Sequence, residues 1–131
     1  MLRKPIRKGG TGRVALDENN PALVSVIIMK PNLAPEFSRR RSITFEEIQD
    51  IVGGYIEIVP KFTTYGKDAK CLVFCNEDGR VLGLPKNDRA TAAWGISWEG
   101  WTPQHFLVGT VVIVCGTPKQ LNKILDGEAG D

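Results

Sequence analysis

The stretch "FLVGTVVIVC", Phe106–Cys115, decides the fold, because eight of its ten residues are apolar and no polar position recurs with a period of two. A strand with one wet face alternates apolar and polar residues; a run without alternation has both faces covered. The segment is therefore predicted to be the central strand of a sheet, and it is far too short to span a bilayer as a helix. Immediately after it, Thr117, Pro118 and Gln120 stand where a capping box with proline at its first turn would place them. They open a closing helix whose Leu121, Ile124 and Leu125 are expected to pack inward, and residues 127–131 read as a frayed acidic end.

Working back toward the start, "ALVSVIIMK" (22–30) reads as a strand rich in β-branched residues, ended by Pro31 and Pro35. "ITFEEIQDIVGG" carries a full set of helix signals. Thr44 and Glu47 form a capping box, Ile43 and Ile48 a hydrophobic staple, and Gly53 the stop. "YIEIVP" then predicts a strand, and "KFTTYGKDAK" a polar connector. "CLVFC-NEDG-RVLGL" reads as a hairpin about a turn. Asp88 is placed to cap a short helix, "RATAAW", that Gly95 would end. The interleaving of these elements predicts an α+β fold: a single mixed or mostly antiparallel sheet with two main helices and one short helix. Residues 21–126 would form one domain behind a flexible basic tail over 1–20.

Charge is unevenly distributed. Residues 1–41 carry nine Lys/Arg against three Asp/Glu, although the net charge of the chain is only +2. The cations cluster as Arg3, Lys4, Arg7, Lys8 and Arg13 in the tail, and as Arg39, Arg40 and Arg41 further on. One reading is a solvated tail; the other is an arm that contacts nucleic-acid phosphates. No aromatic residue is interleaved with these charges, which argues against base stacking by the arm. Three cysteines, Cys71, Cys75 and Cys115, all lie in apolar runs, and an odd count there suits buried thiols in a reducing compartment. No apolar core follows the basic start, so no signal peptide is expected and the location is read as cytoplasmic.

Catalytic groups are scarce. His105 is the sole histidine, and a Cys/His dyad would need a cysteine that is accessible. Cys71, Cys75, Cys115 and His105 lack the paired spacing of a zinc knuckle, so no metal and no cofactor are expected. "KGGTGR" lacks the strand and helix that a phosphate-binding glycine loop requires. One segment remains, running from Lys86 to Trp101. Lys86, Asn87, Arg89 and Thr91 offer polar groups, and Trp98 and Trp101 offer rings that could stack on a planar ligand. The same residues also suit a helix cap and core packing.

"FEEIQDIVGGYIEIVP", "CLVFCNEDGRVLGLPKNDRAT" and "LVGTVVIVCG", in that order and spacing, resemble the domain-of-unknown-function 3846 family over roughly Val24–Gly116. The resemblance implies a small accessory protein of a phage, plasmid or related mobile element, and it transfers no catalytic residue. The function expected is therefore a non-catalytic binding protein that captures a small anionic or nucleotide-like ligand, or a host protein, to modulate host processes. A nucleic-acid-binding accessory protein using the basic arm is the alternative, and a small hydrolase ranks third.

Overall fold

The structure, a computed structural model, describes residues 22–66 and 69–127. The basic tail with Arg3, Lys4, Arg7, Lys8 and Arg13, and the acidic residues 128–131, lie outside the described residues. Strand β6 (Val111–Cys115) is buried at every position. Val111 and Ile113 face one apolar cluster, and Val112 and Val114 face the other. The strand lies between β1 (Val24–Met29) and β5 (Ala69–Asn76), antiparallel to both. Beyond β1 lies β2 (Glu36–Arg40), and beyond β5 lies β3 (Ile56–Ile58), giving the order β2-β1-β6-β5-β3. The two residues of β4 (Thr64–Tyr65) pair with the start of β5. Every strand pairing among the described residues is antiparallel.

Helices cover both faces. Helix α1 (Phe45–Val52) and helix α3 (Pro118–Leu125) pack on one, through Ile48, Val52, Leu121 and Ile124, whereas Leu125, expected to pack inward, is exposed. Both begin as the sequence predicts. The Thr44 hydroxyl accepts from the Glu47 amide and Glu47 reaches back to the Thr44 amide, at 3.1 and 3.0 Å. Thr117 and Gln120 repeat the exchange at 3.2 and 2.8 Å. Ile43 and Ile48 are both fully buried, as the staple requires. Gly53 ends α1 with a φ of +85°, a left-handed conformation that glycine adopts without steric cost.

Three features differ from the sequence reading. The hairpin is not formed: "NEDG" does turn, but the chain after it coils through tight turns instead of returning as a strand. The Leu82 amide bonds to Asp78 and the Leu84 amide to Gly79, and Val81 is 88% exposed. The reason is competition for the flanks of β5, which β6 takes on one side and β3 and β4 on the other. Second, the basic stretch around Arg39 is part of a strand, β2, which pairs residue for residue with β1. Third, the polar connector contributes to the core, where Phe62 is 1% exposed.

The burial of β6 on both faces makes a test of the core direct. Val112→Asp puts a carboxylate where no cation can reach it, and a loss of more than about 4 kcal/mol is expected. Urea unfolding followed by circular dichroism reads it; a midpoint like the wild type would show that the strand is not in the core.

Candidate ligand-binding site

The remaining helix, α2 (Asp88–Ser97), covers the second face of the sheet, with Ala90 and Trp94 buried against it. Asn87, rather than Asp88, is its cap: the Asn87 side-chain oxygen accepts from the Ala90 amide at 3.1 Å. The side-chain nitrogen donates to the carbonyls of Met29 at 2.8 Å and Gly109 at 2.9 Å. Asn87 is 1% exposed, so its amide is committed to the fold and has no donor left for a ligand. Thr91 is similarly engaged, its hydroxyl accepting from the Leu107 amide at 2.9 Å.

The helix does not end at Gly95; it continues for two residues and is the longest of the three. A Cβ on Gly95 would stand 3.3 Å from the Trp101 ring, so glycine is there to let that ring approach. Trp94, Trp98 and Trp101 all pack on the core around α2 rather than forming an open wall. Trp94 Nε1 donates to the Pro60 carbonyl at 2.9 Å. The Trp98 ring lies edge-on to His105, with centroids 4.7 Å apart. His105 Nδ1 lies 3.1 Å from the Thr102 hydroxyl.

Arg89 behaves differently. It is exposed in the first turn of α2, and no carboxylate pairs with it among the described residues. With Ala92, Ala93 and Ile96 it forms one side of α2, on which Ala93 packs against the core and the other three are exposed. That face, together with Phe37 of β2 and Tyr65 of β4, encloses a groove of about 480 Å³. Phe37 and Ile96 are 69% and 84% exposed there. Burial pushes the Tyr65 phenol above its usual range; the Cys115 thiol adds to this and Arg89 opposes it. Of the residues singled out from the sequence, only Arg89 lines this groove. Phe37, Tyr65 and Ile96 were missed, although the spacing 89, 92, 93, 96 is one side of a helix and was readable as such.

Lys86 belongs elsewhere. Its ammonium lies 4.6 Å from the centre of the Phe106 ring, on which the Arg80 guanidinium also stacks at 4.2 Å. Phe106, Arg80, Glu57 and Cys75 line a smaller cavity of about 210 Å³. Burial, helped by Glu57 and opposed by Arg80, pushes the Cys75 thiol up to about 11. A thiol so placed stays protonated at neutral pH and is a poor nucleophile. Among the cations of the second basic cluster, Arg40 is ion-paired to Glu47 at 3.2 Å and Arg41 is exposed.

A family model described as Domain of unknown function (DUF3846) matches residues 24–126, from the first residue of β1 to just beyond α3. The chain belongs to that family. No curated protein and no solved structure matches it. The DUF3846 match thus spans the six strands and three helices of the described residues, so the groove and the Asn87 cap both fall inside the family domain. No described helix is long and apolar enough to cross a membrane.

Two measurements follow from this geometry. Asn87→Ala removes a helix cap and two buried hydrogen bonds to the Met29 and Gly109 carbonyls, and a loss of about 2–4 kcal/mol is expected in urea unfolding. Cys75 gives a pH dependence. Its thiol ionises near 9 in the unfolded chain and near 11 in the folded one. Between those values the unfolded state holds fewer protons, so stability should be complete below about 9 and decline as pH climbs toward 11. Cys75→Ala should flatten that decline.

Proposed function

We propose that this protein is a non-catalytic binding protein whose groove takes a small molecule with an anionic group and an apolar or planar body. The observation that carries the reading is Arg89: an exposed guanidinium without a carboxylate partner among the described residues, at the rim of an otherwise apolar groove. Its planar fork of donors suits phosphate or carboxylate, while Phe37, Tyr65 and Ile96 offer surface to the rest of the ligand. The volume is that of a small-ligand site. Binding rather than catalysis is favoured because Cys75 is held protonated and His105 is packed against Trp94 and Trp98. A reducing cytoplasm suits three unpaired, buried cysteines. The family resemblance adds a setting, an accessory protein of a phage or mobile element that acts by sequestering a host metabolite.

The test is a titration with phenyl phosphate and benzoate, with benzyl alcohol as the uncharged comparison, alongside mass spectrometry of whatever the purified protein retains. The anions should bind and the alcohol should not. Arg89→Ala should weaken anion binding at least tenfold, about 1.4 kcal/mol, while leaving the melting temperature unchanged, since the side chain is exposed. If Arg89→Ala and Phe37→Ser both bind like the wild type, the groove is not the site.

A further inference from the structure

The groove uses none of the three cysteines, yet two of them stand in a specific relation. Cys71 on β5 and Cys115 on β6 are direct partners across the antiparallel pair. On the next rung, the Gly116 amide donates to the Lys70 carbonyl at 3.2 Å. The Cys71 amide points the opposite way, to the Thr63 carbonyl at 2.9 Å. Hydrogen-bonded and open rungs alternate along such a ladder, so Cys71 and Cys115 occupy an open rung, where opposed Cα atoms stand only about 4.5 Å apart. Disulfides join Cα atoms about 4.4–6.8 Å apart, which includes this spacing. Both side chains enter the same apolar cluster, beside Val73 and Phe62.

The Cys71 thiol donates to the Phe62 carbonyl at 3.7 Å, which fixes the direction of its S–H. The neighbouring Cys115 sulfur and burial together push the Cys71 thiol above the usual thiol range. Cys75, four residues along the same strand and about 13 Å away, has no such partner.

We propose that Cys71 and Cys115 are an oxidation site, which a small hydroperoxide converts into a disulfide across β5 and β6. One of the two thiols ionises and its thiolate attacks one peroxide oxygen; the O–O bond breaks, and the departing hydroxide takes up the released proton as water. That sulfur is left as a sulfenic acid. The other thiol gives up its proton and attacks it; the S–O bond breaks, and hydroxide with the released proton forms a second water. Two thiols and one hydrogen peroxide become one disulfide and two waters. The residues are only 5% and 9% exposed, so the oxidant must be of peroxide size and not a peptide disulfide.

The experiment treats the reduced full-length chain with hydrogen peroxide, alkylates remaining thiols after acid quench, and maps peptides by mass spectrometry. The expected product is a monomer lighter by two hydrogens, with the Cys71 and Cys115 peptides linked, Cys75 alkylated, and the link reversed by dithiothreitol. Its melting temperature should rise by several degrees, because the bond ties the unfolded chain. Cys75→Ala should form the link as the wild type does, and wild-type protein unfolded in urea before oxidation should give mixed pairings. Linkage through Cys75, linkage only between chains, oxygen added to sulfur without linkage, or the same selectivity in urea would each overturn the proposal. The wild-type map decides even if Cys71→Ala fails to fold.

Discussion

One buried amide holds three parts of this molecule in register. The Asn87 side chain bonds to the end of β1 at Met29, to the approach to β6 at Gly109 and to the first turn of α2 at Ala90. Those partners come from distant parts of the chain, and the buried Ala90 amide, in the first turn of a helix, depends on such a cap. Backbone bonds from Asn87 to Leu107 and from Gly109 to Pro85 close the same junction. The position of α2 over the sheet follows, and with it the direction in which Arg89 leaves the helix. The groove is a consequence of a cap.

Local signals were read correctly where they were self-contained. The Thr44–Glu47 and Thr117–Gln120 boxes, the Ile43–Ile48 staple and the unbroken apolar run of β6 each name their structure within a few residues. What depended on the rest of the chain was not legible. "RVLGL" has the composition of a strand, but whether it pairs is decided by β3, β4 and β6, which occupy the flanks of β5. "EFSRR" looks like a charged surface stretch, yet edge strands tolerate charge, and pairing with β1 makes it β2. Asn87 and Asp88 are both good caps, and only the two carbonyls from elsewhere choose between them.

The candidate site was legible in one residue. Arg89 stood out as a cation in a helix's first turn, where the dipole gives it no advantage. The aromatic residues assigned to accompany it do not line the groove that Arg89 lines. Trp98 and Trp101 are close in sequence but are drawn to the core beside Trp94, while Phe37 and Tyr65 come from strands that the sequence did not disclose. Large rings clustered in sequence are as readily core as site, and here the three tryptophans seal one end of α2 against the sheet.

The place of β6 has a consequence for synthesis on the ribosome. A nascent chain that has emerged as far as residue 110 contains five of the six strands, yet holds them as two unconnected pieces. One is the β1–β2 pair; the other is β5 with β3 and β4. Each presents a bare apolar edge, the kind of surface that recruits foreign strands. Of the described strands, the latest to leave the tunnel is the one that joins them, so the sheet closes in a single event when β6 arrives rather than growing strand by strand.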